Sequence, residues 1–410
     1  MQYARVAADG SLTIPPELAR SLGLVPGAQA KVEAGENTLT IGRSPTHLAR
    51  LYVELTNNCN IDCTTCMRNI WDLQVGMLSE EHFSLIEREV EGMNPKPLLF
   101  FGGFGEPTSH PRFVEYVRRV REAGAEVDLI TNGTLLTEEL IDELIGLGVR
   151  ELWVSIDGAR PESYADVRLG ASLPRVIRNL ETLKFRKMRL GSLRPALGVA
   201  FVAMDRNIGD LPKVIELGLK LEAQRFSISN VLAHDEKMTG ETLYDEALRQ
   251  WNPRRAQVDL SRMDLDNPKV TSALRGVMET GSRVLGTPEL NLFPEKNSCP
   301  FVEKGSMSIR WDGTVSPCLS LLHTHDFYVG ETKRKSYAYT LGKVGDRPLQ
   351  EIWNDPDYLD LRQRLQEFSF SPCTSCRSCE RINQNTRDCQ GNQEPACGGC
   401  LWAQGLVRCP

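Results

Sequence analysis

Long apolar runs and a net positive charge are both missing from this 410-residue sequence. No stretch approaches the roughly 18 consecutive apolar residues that indicate a membrane-spanning helix. The formal net charge at pH 7 is −6, which gives no general reason to expect binding to nucleic acid or to a membrane surface. The opening residues MQYARVAADG lack a basic stretch followed by an apolar core, so we expect no secretory leader and a cytoplasmic location.

Cysteine, by contrast, is abundant, with 12 residues in closely spaced groups. Disulfides would explain such a number in a small secreted protein. In a long chain without an expected leader, the grouping favours metal or iron–sulfur ligation. Disulfides and zinc alone remain the alternatives.

The first cysteine group has no fourth member. The stretch NNCNIDCTTCMRN (57–69) contains Cys59, Cys63 and Cys66 and no other thiol. A structural zinc site needs four protein ligands, so three leave one coordination position free. A 4Fe–4S cluster held by three thiolates keeps one iron open, and we expect a non-protein ligand to bind there.

Residues 1–45 form a segment of their own. The stretch GSLTIPPELARSLGLVPGAQAKVE resembles the swapped-hairpin domain of AbrB-type regulators. This resemblance implies a small β-rich domain that cannot bury a core alone, and a homodimer formed through it. Four basic side chains are balanced by four acidic ones up to residue 44, whereas a DNA-binding domain should be basic.

From residue 48 to 233 the sequence alternates apolar stretches with amphipathic ones. The predicted strands are 51–55, 97–103, 126–132, 151–157, 196–203 and 225–231. They are rich in branched and aromatic side chains, as strands buried on both faces are. Amphipathic helices are predicted after Ser79 and after Thr137, each as the N-cap. Six βα units in series predict an α/β fold whose parallel sheet curls toward a barrel, with ligands at the C-terminal strand ends.

CxxxCxxC directly after the first strand resembles the signature of the radical S-adenosylmethionine (SAM) enzymes. The resemblance covers about 48–233 and implies a partial (β/α)6 barrel. It also implies a 4Fe–4S cluster on Cys59, Cys63 and Cys66 as the catalytic centre, which cleaves SAM reductively to methionine and a 5′-deoxyadenosyl radical. The motifs FFGGFGEP, TNG, SIDG and ISN end successive strands, and the resemblance implies that their cofactor-binding residues are Gly102, Gly103, Glu106, Asn132, Ser155, Asp157 and Asn230.

One position departs from the family pattern. The residue before the third family cysteine is usually aromatic and packs on adenine, but here it is Thr65. Val199 or Phe201 would then have to pack on the adenine.

Residues 234–298 connect the barrel to a cysteine-rich region, 299–410, which resembles the SPASM extension of radical SAM maturases. That resemblance implies two auxiliary 4Fe–4S clusters, although the family spacing CxxCx5Cx3C is not reproduced. The implied ligands are Cys299, Cys318, Cys373, Cys376, Cys379, Cys389, Cys397, Cys400 and Cys409. Nine thiolates exceed the eight that two clusters need, so their partition stays open. A zinc ribbon is the alternative.

The stretch LSLLHTHDFYVGETKRKSYAY (319–339) contains a basic run, Lys333 to Lys335, which predicts a solvated loop. His323 and His325 stand two residues apart, and metal binding by this pair is the minor alternative.

The stretches FSISNVLAHDEKMTGETLY and SLLHTHDFYVGETKR resemble the maturases associated with tungsten-cofactor aldehyde oxidoreductases. The resemblance implies a protein, peptide or cofactor substrate: that oxidoreductase, its companion peptide or its pterin. It also implies an electron donor such as ferredoxin or flavodoxin. Crosslinking of a ribosomally made peptide is the alternative within the same family.

Two hypotheses come from other classes. The chain could be an iron–sulfur redox sensor whose N-terminal segment binds DNA, although we expect neither nucleic acid nor a membrane as a partner. It could also be a zinc-bound scaffold. Iron and sulfide analysis separates the scaffold from the enzyme.

Overall fold

A computed structural model describes most of the chain. The described residues are 4–30, 32–35, 38–71, 74–245, 247, 257–258, 263–284, 290–291, 299–376 and 379–410. Within these ranges, none of the helices combines the length and the apolar composition needed to cross a bilayer.

The N-terminal segment forms two short antiparallel hairpins around one helix. Its elements are β1 (Arg5–Val6), β2 (Leu12–Thr13), α1 (Pro16–Ser21), β3 (Val32–Ala34) and β4 (Leu39–Ile41). β1 pairs with β2 and β3 pairs with β4. Their apolar side chains are largely exposed, including Val6 at 71% and Val32 at 57%. The described part of this segment therefore buries little core, and its swapped-hairpin character remains a prediction.

All six predicted barrel strands are present. The strands of this region are β5 (Arg50–Val53), β6 (Asp62–Cys63), β7 (Leu98–Phe101), β8 (Val127–Thr131), β9 (Glu151–Ser155), β10 (Arg168–Leu169), β11 (Ala196–Ala203) and β12 (Ala223–Asn230). β5, β7, β8, β9, β11 and β12 are parallel and adjacent in sequence order. Because each new strand is added on the same side, the connecting helices cover one face and the sheet can curl as a barrel does.

The connecting helices are α2 (Glu80–Gly92), α3 (Phe113–Glu122), α4 (Glu138–Gly146), α5 (Pro161–Val167), α6 (Leu173–Leu190) and α7 (Leu211–Lys220). The two predicted N-caps are confirmed. The Ser79 side chain accepts a hydrogen bond from the His82 backbone N–H, and Thr137 accepts one from Leu140. Apolar residues on one face of α4, such as Ile141 and Leu144, are fully buried against the sheet.

The cysteine-rich region and the connecting segment both contain regular elements. Their elements are β13 (Gln257–Val258), α8 (Pro268–Val284), β14 (Leu290–Asn291), α9 (Pro300–Glu303), β15 (Ser306–Ile309), β16 (Thr314–Ser316), β17 (His325–Val329), β18 (Thr332–Ser336), β19 (Gly342–Lys343), α10 (Leu349–Trp353) and α11 (Pro356–Glu367). Much of 234–298 lies outside the described residues.

The barrel sheet continues into this region. β15 lies parallel to β5 in the register Ser306↔Arg50 to Ile309↔Val53, and β16 and β19 follow. The described sheet therefore runs β12-β11-β9-β8-β7-β5-β15-β16-β19. The barrel and the cysteine-rich region share one sheet.

The expected solvated loop around residue 330 is instead a hairpin of β17 and β18. His325 and Arg334 are 4% and 3% exposed, and the exposed Lys333 pairs with Asp326 at 2.8 Å. The solvated-loop prediction was therefore wrong: alternate residues face inward, as in any half-buried hairpin.

The last described residues bridge the two ends of the parallel series. Asn230, at the end of β12, donates to the Leu406 carbonyl at 2.7 Å, and the Tyr52 hydroxyl of β5 donates to the Pro410 carbonyl at 3.1 Å. Five residues span at most about 18 Å. The first and last parallel strands are thus close together, which confirms the curl.

Candidate functional site

The three clustered cysteines lie in the loop after β5, with Cys63 in β6. Each sulfur has a nitrogen donor nearby. Asn132 Nδ2 is 3.8 Å from the Cys59 sulfur, Arg168 Nη1 is 3.7 Å from that of Cys63, and Arg68 Nε is 3.2 Å from that of Cys66. Two guanidinium groups beside buried sulfurs suit thiolates that bind a metal cluster. The residues present therefore fit the iron–sulfur cluster expected here.

Burial works against ionisation of these thiols. It raises the pKa of Cys63 to about 11, although the Arg168 cation opposes the shift, and it also raises the pKa of Cys59. Ligation requires the thiolate form. The positive charge of Arg168 and of bound iron would both favour that form.

Glu106, from the glycine motif, is 2% exposed, and its carboxylate links the loop after β7 to the end of β8. Its carboxylate accepts hydrogen bonds from the Thr108 N–H and hydroxyl, the Thr131 hydroxyl and the Asn132 N–H, at 2.5 to 3.1 Å. Burial raises the pKa of Glu106, while these donors oppose the shift. Glu106 thus organises the loops around the cysteines, and its contact with a bound cofactor remains a prediction.

The glycines of this motif sit where backbones meet. A Cβ on Gly105 would lie 2.1 Å from the Thr56 carbonyl oxygen and 2.5 Å from that of Asn58. Gly103 has a φ of +141° and lies against Glu54. A Cβ on Gly102 would lie 2.6 Å from the Ile130 side chain. This close approach brings the loop after β7 against the loop that bears the cysteines.

Asn132 links β8 to the cysteine loop. Its Nδ2 donates to Asn60 Oδ1 at 2.9 Å, and its Oδ1 accepts from the N–H and hydroxyl of Thr134. It is 5% exposed. The structure therefore places this predicted residue beside Cys59.

Asp157 is fully buried and bound to Arg168. Its carboxylate accepts from Arg168 Nε at 2.8 Å and Nη2 at 2.7 Å, and from the Val202 N–H at 2.7 Å. Arg168 in turn reaches Cys63, so Asp157 acts on the cluster site through a guanidinium. Ser155, 9% exposed, ends β9 on the same side.

Three other residues that were predicted to contact the cofactor are packed against other parts of the protein. Asn230 binds the Leu406 carbonyl through both its side chain and its backbone N–H. Val199 and Phe201, each 1% exposed, lie in β11 within the core. Contacts of these three residues with adenine stay predictions.

The twelve cysteines all belong to the described residues, and none forms a disulfide. The nine cysteines of the cysteine-rich region, 299–410, fall into two neighbourhoods. The first neighbourhood surrounds a recess that opens to solvent. Its empty volume, which includes the solvent-open part, is about 950 Å³. The cysteines that line it are Cys299, Cys318, Cys373, Cys397 and Cys400. Cys299, Cys318 and Cys397 each lie near enough to Cys400 to perturb one another's ionisation, whereas Cys373 is perturbed by Cys376 and Cys389 instead.

The second neighbourhood contains Cys373, Cys376 and Cys389. Cys379 follows Cys376 by three residues in the sequence and is exposed, as is Cys389. The Arg334 cation lies beside Cys373 and donates to its carbonyl at 2.8 Å. Cys409 is not part of the recess lining, although it lies near enough to Cys400 to feel its charge, and its sulfur accepts from the Trp402 indole N–H at 3.3 Å.

His323 and His325 do not converge as a metal pair. His323 Nε2 is 2.9 Å from Glu54 Oε2, whereas His325 Nδ1 is 2.9 Å from the His323 carbonyl. Among the described residues, no three His, Cys, Asp or Glu side chains are grouped as ligands of a single metal ion.

Sequence reasoning missed several residues of this site: Glu54, Asn60, Arg68 and Arg168. Arg68 could have been noticed, because it stands two residues after Cys66. Arg168 has no such signal, since 105 residues separate it from Cys63.

Comparisons with known proteins agree with this geometry. Residues 53–193 match the Radical SAM superfamily, and residues 299–380 match SPASM, an iron–sulfur cluster-binding domain. These matches imply 4Fe–4S clusters in both regions.

Two relatives extend over most of the chain. The tungsten-containing aldehyde ferredoxin oxidoreductase cofactor-modifying protein of Pyrococcus furiosus is 31% identical, over 88% of this chain and 96% of that protein. The PqqA peptide cyclase of Ruegeria pomeroyi is 26% identical, over 84% and 83% respectively.

Solved structures share the fold. Streptococcus suis SuiB bound to S-adenosylmethionine has a TM-score of 0.55 at 14% identity, covering 81% of this chain and 71% of that one. Native anSMEcpe with bound AdoMet has a TM-score of 0.53 at 17% identity, covering 87% and 95%. Together with the cysteine loop and the curled parallel sheet, the relatives show that this chain belongs to the radical SAM enzymes that carry a SPASM domain.

Proposed function

We propose that this chain cleaves SAM reductively and uses the resulting radical to mature a tungsten-dependent aldehyde oxidoreductase, acting on its cofactor or companion peptide. The observation that supports this most is the relative from Pyrococcus furiosus, which is similar over almost its full length and named for that cofactor modification. Cys59, Cys63 and Cys66, with their three nitrogen donors, supply the cluster site that such chemistry needs.

A bound 4Fe–4S cluster with SAM supplies the electron transfer and the radical. The chain's own residues hold and shield that assembly. Arg68 and Arg168 offset thiolate charge, and Glu106 and Asn132 fix the loops over the strand ends. Gly102 and Gly103 let the backbone come close, while Ser155 and Asp157 border the same strand ends.

For the auxiliary clusters we propose one partition of the nine cysteines. The first cluster takes Cys299, Cys318, Cys397 and Cys400, which line the recess and lie near enough to perturb one another's ionisation. The second takes Cys373, Cys376 and Cys389 with Cys379 as the fourth ligand. Cys409 is then the extra thiol. Two observations support this assignment: Cys318 and Cys373 are buried, and the Arg334 cation lies beside Cys373.

The remaining expectations concern partners and location. A low-potential donor such as ferredoxin or flavodoxin would supply the electron, and a cytoplasmic location would keep the clusters reduced. Residues 1–45 would form a homodimer contact, supported by their exposed apolar side chains.

A second candidate substrate is a ribosomally made peptide. The similarity to the PqqA peptide cyclase over 84% of the chain favours it. The two substrates are distinguished by incubating the enzyme with the oxidoreductase, or with its companion peptide alone, and measuring a SAM-dependent mass change by mass spectrometry.

The deciding experiment is anaerobic. The iron-reconstituted protein is mixed with dithionite and SAM, and 5′-deoxyadenosine is measured with iron per chain. We expect deoxyadenosine and about 12 irons, the content of three 4Fe–4S clusters. Zinc near two per chain without sulfide would contradict the proposal, as would a full iron load without deoxyadenosine when the oxidoreductase is also present.

Cys63→Ala localises the activity. It should abolish deoxyadenosine formation and leave about eight irons in the auxiliary clusters. Cys397→Ala is the matched control: it should also lose about four irons yet retain measurable SAM cleavage. Deoxyadenosine at the wild-type level from Cys63→Ala would mean that the wrong cluster has been assigned.

A further inference from the structure

A buried acid–base pair lies where the cysteine-rich region meets the barrel. Glu54 directly follows β5, five residues before Cys59, and its carboxylate is fully buried. Glu54 Oε2 lies 2.9 Å from Nε2 of His323, which is 2% exposed. The other oxygen, Oε1, accepts from the Phe104 N–H at 3.2 Å. Removing such a carboxylate from water is costly unless it serves as a partner.

This contact sets the tautomer of the imidazole. An ionised carboxylate only accepts hydrogen bonds, so Nε2 of His323 must carry the proton. In the neutral ring the lone pair is then on Nδ1. Nδ1 is buried and has no hydrogen-bond partner among the described residues. A carboxylate that orients an imidazole with a free basic nitrogen is the arrangement of a general base.

A second unpartnered group lies beside it. The Trp71 ring stacks on His323 with centroids 4.4 Å apart and planes at 32°, and Phe104 meets His323 edge-on at 5.6 Å. Trp71 Nε1 is a donor, and it is also buried with no partner within the described part of the chain. Adjacent rings thus offer one acceptor and one donor, which suits a ligand that has both an N–H or O–H and an acceptor oxygen.

The pair lies at the strand ends that bear the cysteine loop. Glu54, Trp71 and Phe104 stand in the loops after β5 and β7, at the strand ends that hold Cys59, Cys63 and Cys66. His323 belongs to the cysteine-rich region and follows Cys318 by five residues in the sequence. The pair therefore lies between the cysteine loop and the auxiliary region.

We propose that His323, oriented by Glu54, accepts a proton from an O–H or N–H group of the substrate. The heavy-atom–hydrogen bond breaks, its electron pair stays on the substrate, and the proton forms an N–H bond at Nδ1. The resulting imidazolium is stabilised by the Glu54 carboxylate. Trp71 donates to the neighbouring acceptor oxygen. His323 is the catalytic residue and Glu54 the positioning residue, and the role rests on the proposed radical SAM function.

Other charged groups also face the pair. Arg310 lies near enough to Glu54 to feel its charge and donates to the Leu322 carbonyl at 3.2 Å. His325 bonds to the His323 carbonyl, and burial lowers the pKa of His325, so it stays neutral beside His323. Glu54 is thus the carboxylate in contact with His323.

The test uses the full iron-loaded chain, with the tungsten-dependent aldehyde oxidoreductase as substrate. His323→Gln should keep its iron and its substrate-free deoxyadenosine formation, while modification falls about a hundredfold or more. His110→Gln, which changes another buried histidine of the barrel, should leave modification unchanged. In Glu54→Gln, the modification rate at saturating substrate should fall while the KM stays unchanged, because the imidazolium formed in the step loses the carboxylate that stabilises it.

A purely structural contact predicts other results. Loss of iron and of deoxyadenosine together in His323→Gln, or an unchanged modification rate in Glu54→Gln, would overturn the proposal. If the wild-type chain forms no deoxyadenosine, the proposed function itself fails. The pair is then tested alone by ¹⁵N-histidine NMR, for which six histidines give a simple spectrum. We expect the Nε2–H tautomer for His323, and an Nδ1–H tautomer would exclude the pair.

Discussion

Arg168 Nη1 lies 3.7 Å from the sulfur of Cys63 while the same guanidinium binds Asp157 through Nε and Nη2. The short β6–β10 pairing holds the backbones of Arg168 and Cys63 opposite each other. A residue of the fourth βα unit thus sets the electrostatics of the first loop. Asp157 positions this arginine, and its contact with the cofactor remains a prediction.

Arg168→Gln should therefore destabilise the fold. The change leaves Asp157 buried without its cation, and breaking a buried ion pair on one side costs about 3–5 kcal/mol. The free energy of unfolding is measured by urea denaturation under anaerobic conditions. Arg160→Gln, eight residues earlier and 65% exposed, is the control and should change it little. Equal losses in both variants would contradict the role of the buried pair.

Gly105→Ala should weaken SAM binding by about tenfold or more, equivalent to at least ~1.4 kcal/mol. The new methyl group would clash with the Thr56 and Asn58 carbonyls, and Glu106 depends on Asn58 for its backbone hydrogen bond. Equilibrium dialysis of the iron-loaded protein with labelled SAM measures the affinity. Gly146→Ala is the matched control, because its methyl group meets open space in α4 and should stabilise the helix by about 0.5–1 kcal/mol. Unchanged affinity in Gly105→Ala would mean that this backbone contact is not needed.

Cys409→Ser should keep the full iron content, whereas Cys400→Ser should lose about four irons, the content of one cluster. Cys400 lines the recess with four other cysteines and lies near enough to Cys397 to perturb its ionisation, while the Cys409 sulfur is occupied by the Trp402 indole. Iron analysis after reconstitution decides between them. The reverse pattern would make Cys409 a ligand and overturn the proposed partition.

The attachment of the N-terminal segment should weaken as pH falls from about 6.5 toward about 4. Burial and the Arg43 cation lower the pKa of His47 to about 4, and its Nδ1 accepts from Arg43 at 2.8 Å. The unfolded chain protonates His47 near pH 6.5, so it binds more protons than the folded chain in this window, and stability falls as pH falls. Thermal midpoints at pH 7 and pH 5 measure the effect. His47→Gln should reduce this pH dependence; an identical slope would rule out His47 as its source.

The sequence was informative where a site is local. Cys59, Cys63 and Cys66 lie within eight residues, and the glycine motif immediately follows a strand, so both could be placed at strand ends from the pattern alone. The parallel order of the six strands followed from the repeated βα units. Such features depend on neighbours along the chain.

The parts that were missed depend on distant pairing. β15 pairs with β5 although more than 250 residues separate them in the sequence. β15 has only four residues, which are too few for an alternation of polar and apolar side chains to identify a strand. Glu54 meets His323 across 269 residues, and each alone looks like an ordinary polar side chain. The hairpin of β17 and β18 was hidden by its basic residues, which resemble a solvated loop although Arg334 points inward.

The pairing of β15 with β5 has a consequence for cutting the chain. If the polypeptide ended before residue 299, β5 would lose its neighbour on one side, and the backbone N–H and C=O groups along that edge would face solvent. Leu51, Tyr52 and Val53 are fully buried, so the exposed edge would be flat and apolar. Such an edge recruits strands from other molecules. The boundary between the two families recognised in the sequence is therefore not a boundary at which the folded protein can be divided without aggregation.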